Sequence, residues 1–125
     1  MNMLEQRLKK ARDLLEAGNT EQGRMVLLEL LKDEPDNTTV LLILGGVYFT
    51  EEKYTEAEMV YERLILAEPG SGLLSTALFN SLWQQGRYEE AAEEIRRFIT
   101  VADKDQERAT LQKYAEVLKN LAGQA

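Results

Sequence analysis

The sequence predicts an all-α protein, a solenoid of three helix-turn-helix units closed by a seventh, capping helix. Three observations carry that prediction. First, one short block occurs three times, as Gly18-Asn19-Thr20-Glu21-Gln22-Gly23, Glu52-Lys53-Tyr54-Thr55-Glu56-Ala57 and Gly86-Arg87-Tyr88-Glu89-Glu90-Ala91, at a constant spacing of 34 residues. Second, the apolar register holds on both sides of the blocks. Ala11, Gly45 and Phe79 correspond, as do Leu14, Tyr48 and Leu82, then Leu27, Tyr61 and Ile95, then Leu30, Leu64 and Phe98. Third, Pro35 and Pro69 close the first two units, and Asp103 stands where a third proline would fall. A fixed period of this length marks stacked supersecondary units. A single hairpin cannot bury its apolar face alone, so the units must stack.

The units span residues 4–37, 38–71 and 72–105 of a single domain covering 1–125. Each holds two segments of about 14 residues with apolar positions at helical spacing. In the second unit, Leu41, Leu44, Gly45 and Tyr48 form the inner stripe of helix A, and Ala57, Val60, Tyr61 and Leu64 that of helix B. Small residues at Ala11 and Gly45, and at Gly23, Ala57 and Ala91, let the two helices of a hairpin approach closely. The prolines end the B helices and force the next turn. Asn37-Thr38 and Ser71 are placed to cap the A helices that follow. Phe79 occupies a position that should be small. Its ring either wedges the third hairpin apart or turns toward the cap. The capping helix spans 106–122, with Leu111, Tyr114, Ala115, Leu118 and Leu121 on one face and Glu107, Lys113, Glu116, Lys119 and Asn120 on the other. Its apolar face is expected to cover Leu78, Leu82, Ile95 and Phe98.

These residues resemble the tetratricopeptide repeat. The second unit matches that family's pattern best, with Leu44-Gly45, Tyr48, Tyr54, Ala57, Tyr61, Leu64 and Pro69. The third keeps Leu78, Leu82, Gly86, Tyr88, Ala91, Ile95 and Phe98. The first departs most, with Lys10 at an apolar position and Gly23 in place of Ala. The resemblance implies a right-handed superhelix whose A helices line a concave groove that binds peptides. Carried over position by position, it assigns the groove to Leu8, Arg12 and Leu15 in the first unit. The second contributes Thr39, Leu42, Ile43, Gly46 and Phe49, and the third Leu73, Ala77, Asn80 and Trp83. Gly46, mid-helix, would leave room for a partner's backbone. Some members hold the C-terminal carboxylate of heat-shock chaperones with a Lys/Asn/Asn/Lys/Arg clamp. The five positions here are Leu8, Arg12, Ile43, Leu73 and Ala77, so that clamp is missing.

Composition narrows the function further. Of 125 residues, 44% are hydrophobic and 30% charged, the balance of an ordinary globular chain. Fifteen Lys and Arg against 22 Asp and Glu give a net charge of −7, unsuited to phosphate backbones or anionic lipid. The units carry net −2, −4 and −2, and the tail +1, with Arg7, Lys9, Lys10 and Arg12 making a basic start on an acidic body. Cysteine and histidine are absent, which removes thiolate chemistry and the usual general base and zinc ligand. The carboxylate pairs Glu51-Glu52, Glu89-Glu90 and Glu93-Glu94 are expected at turns and on outward B-helix faces, solvated and ordinary in pKa. Ser71, Ser75 and Ser81 have no histidine to activate them. No catalytic residues, cofactor or metal are therefore expected, and the protein should not be an enzyme.

The N-terminus shows no apolar leader segment, and the longest apolar-rich run, 40–49, falls well short of the ~20 residues that span a bilayer. A cytoplasmic location is the simplest reading. The expected partner is another protein or a peptide segment, with no nucleic acid and no membrane insertion. Three roles stay open. One is an adaptor or chaperone-like module holding an apolar or amphipathic peptide in the groove. Another is an acidic inhibitor or immunity-type protein masking a basic partner. The last is a self-associating structural unit, for instance a homodimer through the groove.

Overall fold

The computed structural model describes residues 2–123, which form seven α-helices and, among the described residues, no strand. They are α1 (Met3–Glu16), α2 (Thr20–Asp33), α3 (Thr38–Thr50), α4 (Tyr54–Ala67), α5 (Gly72–Gln84), α6 (Tyr88–Val101) and α7 (Arg108–Gly123). Consecutive helices pack against one another, so the chain builds three hairpins in series. No helix of the described residues is long and apolar enough to cross a membrane.

The turns inside the hairpins share one geometry. Gly18, Glu52 and Gly86, 34 residues apart, all take positive φ, at 84°, 61° and 74°. In each turn the next residue donates its N–H back to the helix. Asn19 reaches the Leu14 carbonyl, Lys53 that of Tyr48, and Arg87 that of Leu82, at 2.8, 2.8 and 3.1 Å. These bonds satisfy carbonyls that a helix end would otherwise leave open. The turns between hairpins are capped by side chains, as expected. The Asn37 side chain accepts from the Val40 N–H at 3.0 Å and Ser71 Oγ from the Leu74 N–H at 3.2 Å.

Small residues set the spacing within hairpins. A Cβ added at Gly23 would lie 2.7 Å from Leu15 Cδ2, and one at Gly45 would lie 2.8 Å from the Tyr61 ring. The main core runs from Leu8 and Ala11 through Leu27, Leu30, Val40, Leu44, Tyr61 and Leu64 to Leu78, Leu82 and Ala91. A second cluster of Ile95, Phe98 and Tyr114 lies under α7, and Phe79 packs against both.

Phe79 turns toward the cap. Its ring lies 5.8 Å from that of Tyr114 and stacks on Trp83 at 5.6 Å. The cap differs from expectation in three respects. It starts at Arg108, after a turn over 104–107. It covers Ile95, Phe98 and Phe79, whereas Leu78 and Leu82 belong to the main core. Val117, not Ala115, joins its inner face, because Tyr114 sets the centre of the stripe and Ala115 is rotated out to solvent. The Glu107 carboxylate accepts the Gly72 N–H at 3.2 Å, which ties the start of the cap to the start of α5.

Candidate functional site

The twelve residues assigned to the groove divide by exposure. Leu42, Leu73 and Trp83 are large, apolar and exposed, with Leu73 at 69%. Arg12, Thr39 and Asn80 are exposed and polar. Leu15, Ile43, Gly46, Phe49 and Ala77 are half-buried, and all but Gly46 pack onto the main core. Leu8 is a correction. It is 9% exposed and belongs to the core, because Leu4, Leu8, Ala11 and Leu15 form one helical stripe against α2.

On the A-helix side, Thr39, Leu42, Leu73 and Leu74 line a hollow of about 150 Å³ between α3 and α5. An added Cβ at Gly46 meets nothing within 4 Å, so that stretch of helix backbone is open from outside. Phe49 is engaged edge-on by Tyr54 at 5.1 Å. Trp83 is held between two rings, Phe79 and Tyr88, with the Tyr88 centroid only 4.4 Å away. Tyr88 was not among the groove positions, since it opens a B helix. Its place one turn beyond Trp83, across the Gly86 reversal, was the available signal. Tyr88 also lines a wider hollow of about 510 Å³ between α6 and α7, with Ala92, Leu118 and Leu121.

Not all of the paired carboxylates are solvated, contrary to the expectation from their sequence neighbours. Glu94 is 6% exposed. Both of its oxygens accept from the Arg97 guanidinium, at 2.7 Å each, and Oε2 also accepts from Ser75 Oγ at 2.7 Å. Arg97 additionally donates to the Pro69 carbonyl at 2.8 Å. Glu51 is mostly covered as well, 3.5 Å from Arg24. For Glu94 the reason is packing at the repeat interface, where α6 folds over α5 and brings it onto Ser75, and its buried charge is tolerable because it is paired and hydrogen-bonded. The Arg24–Glu51 pair lacks that support, since Arg24 Nη1 and Glu51 Oε1 are buried with no hydrogen-bond partner.

Glu58, also buried, meets Arg87 and accepts from Gln85 Nε2 at 3.0 Å. Burial alone would raise its pKa. Hydrogen bonds from Glu62, Gln85 and Arg87 outweigh burial and hold it below the ordinary carboxylate range. Glu62 takes the opposite shift. Its hydrogen bond to Glu58, helped by burial, pushes it up to about 7. The pair therefore shares a proton near neutrality. Burial also raises the Tyr114 hydroxyl. Among the described residues no group of three or more His, Cys, Asp or Glu side chains has the arrangement of a metal site.

A sequence profile described as "Tetratricopeptide repeat" matches residues 8–72 and 76–122. No curated protein matches significantly. Among solved structures, the type III secretion chaperone SycD of Yersinia enterocolitica, in complex with a peptide of the translocator YopD, superposes with a TM-score of 0.79. It is 18% identical, over 99% of this chain and 95% of that one. A SycD structure described as an alternative dimer gives 0.76 at 18% identity, over the same shares of both chains. MamA (MSR-1) gives 0.70 at 23% identity, over 93% of this chain and 68% of that one.

Proposed function

The chain belongs to the tetratricopeptide repeat family, and from that premise we propose that it is a non-catalytic interaction module. It acts as an adaptor or chaperone in the cytoplasm, and the units 4–37, 38–71 and 72–105 with their cap work as one body. Its ligand is an apolar or amphipathic peptide segment of another protein, lying along the A helices. The observation that carries this reading is the pair Leu42 and Leu73. Both are exposed, they flank one hollow, and the fold does not require either to be large. Exposed apolar side chains gathered around a depression mark interaction sites. The open backbone at Gly46 adds room for a ligand chain to approach. Arg12, Thr39 and Asn80 supply polar contacts along the rim, and Trp83 is an aromatic anchor at the far end. Likeness to a chaperone solved with a translocator peptide supports the peptide reading.

The test uses Leu42→Asp and Leu73→Asp. Both positions are exposed, so helicity and melting should stay near wild type. Wild-type protein should retain a partner from native extract in high salt, as apolar binding survives screening, and both variants should lose it. The single tryptophan should shift to the blue and become shielded when the identified segment is added. Retention by both variants, or no response of Trp83 to a segment that binds, would overturn the groove assignment. Sedimentation across concentration separates a partner's peptide from a second copy on the same face.

A further inference from the structure

A second surface lies on the B-helix side, between α4 and α6. Two adjoining hollows, of about 400 and 570 Å³, share Glu62, Leu78, Glu94 and Arg97. Leu78 of α5 forms the floor. Met59, Glu62 and Leu66 follow one another at three- and four-residue steps, so one stripe of α4 presents two apolar side chains with a carboxylate between them. Met59 is 66% exposed and Leu66 84%. The facing stripe of α6 presents Glu90, Glu93, Glu94 and Arg97.

The charges of this cleft do not balance. Each arginine in or beside it is already engaged: Arg97 by Glu94, Arg63 by Asp36 at 2.7 Å, and Arg87 by Glu58 and Glu90. Among the described residues no salt bridge is made by Glu62 or Glu93. Of these two carboxylates, Glu62 stands beside the two most exposed apolar side chains of α4, and Glu93 lines the adjoining hollow. Water serves the carboxylates well but not Met59 and Leu66. A ligand serving both needs apolar side chains and cationic groups alternating at short spacing.

We propose that the α4–α6 cleft is a second docking site, separate from the A-helix groove, for a cationic amphipathic segment of a partner protein. Its apolar side chains lie on Met59, Leu66 and Leu78, and its lysines or arginines pair with Glu62 and Glu93. Methionine at the contact suits a surface that must adapt to the shape of its ligand. The proton shared by Glu58 and Glu62 agrees with this assignment, since an incoming cation would take its place. Glu62 is faced by Glu58 on its own helix, by Arg87 at the N-cap of α6, and by Glu90, Glu93, Glu94 and Arg97 on α6. The contribution of α5 to the cleft is Leu78 and Leu82, which do not titrate.

The experiment measures anisotropy of three labelled synthetic peptides at near-physiological ionic strength. One is an amphipathic Leu/Lys helix, one its Leu/Glu counterpart, and one a lysine peptide without apolar residues. The Leu/Lys peptide should bind and the other two should not. Glu62→Lys combined with Glu93→Lys should weaken binding at least about tenfold, and so should Met59→Ser combined with Leu66→Ser. Leu73→Ser, on the other face, should leave it unchanged. Wild-type affinity should rise between about pH 6 and about pH 8 as the shared proton is released. Circular dichroism checks that each variant is folded. Binding unaffected by the charge reversal, equal binding of the lysine peptide, or loss of binding in Leu73→Ser would overturn the proposal. So would self-association without peptide that disappears on reversing Lys10 and Arg12, since a second copy would then be the occupant.

Discussion

The Tyr114 hydroxyl lies 2.8 Å from Ser75 Oγ, and this contact fastens the cap to the third hairpin. Ser75 spends its own proton on Glu94, so Tyr114 is the donor. The result is a relay from α7 through α5 to α6, ending on the Arg97 fork. Every member of it is satisfied, the condition under which a buried polar network rigidifies rather than weakens a core. The Tyr114 ring also meets Phe98 edge-on at 5.6 Å.

Tyr114→Phe keeps the ring and removes the relay's first bond, the one to Ser75. It should cost about 0.5–1.5 kcal/mol of unfolding free energy. Tyr114→Ala removes the centre of the second cluster and should cost about 3–5 kcal/mol. Urea titration followed by circular dichroism reads both. Similar small losses in the two variants would mean that α7 contributes little to holding Phe98 and Ile95 out of water.

The neighbouring glycines of α3 make a paired prediction. Gly45→Ala drives a methyl group into the Tyr61 ring and should destabilise by about 1–3 kcal/mol. Gly46→Ala meets open space and should stabilise by about 0.5–1 kcal/mol through helix propensity. If a ligand backbone lies over α3, the same methyl should weaken peptide binding while raising the melting temperature. Equal melting shifts for the two variants would contradict the packing described for Tyr61.

The 34-residue repeat makes the turns legible from sequence, because Gly18, Glu52 and Gly86 fall in one register and perform one task. Glu52 is the member that performs it with a side chain in the left-handed region. Such a residue carries a penalty of about 1–2 kcal/mol that glycine avoids, partly offset by the entropy glycine loses on folding. Glu52→Gly should therefore raise stability by about 0.5–1 kcal/mol. Thermal melts would show it, and a lowered midpoint would mean that the Glu52 side chain makes a compensating contact.

Other features could not be read from local pattern. Periodicity placed Phe79 in a slot meant for a small residue, but its direction depends on Tyr114, a residue outside the repeat. Glu94 looked like part of a solvated charge run because its sequence neighbours are charged. Its burial follows from Ser75, 19 residues away. Leu8 was assigned to the groove by position within the unit, whereas the stripe it shares with Ala11 and Leu15 faces inward. In each case the deciding partner lies on another helix, and a one-dimensional period carries no information about it.

The Glu58–Glu62 pair makes stability depend on pH with a definite sign. Glu62 titrates at about 7 in the folded protein, above its ordinary value of 4.5. Between those values the folded state binds more protons than the unfolded state, so stability falls as pH rises through this window. Glu58, shifted down, acts oppositely and below it: its contribution is present above the ordinary value and is lost as pH falls further. Melting temperature should therefore decline from about pH 4.5 to about pH 7 on account of Glu62. Glu62→Gln keeps a donor toward Glu58 and removes the titration. The variant should match wild type at the acid end of the window and melt higher at the alkaline end, so that the two curves diverge as pH rises. Curves that stay parallel across the window would show that Glu62 titrates normally and that Glu58 is held by Arg87 and Gln85 alone.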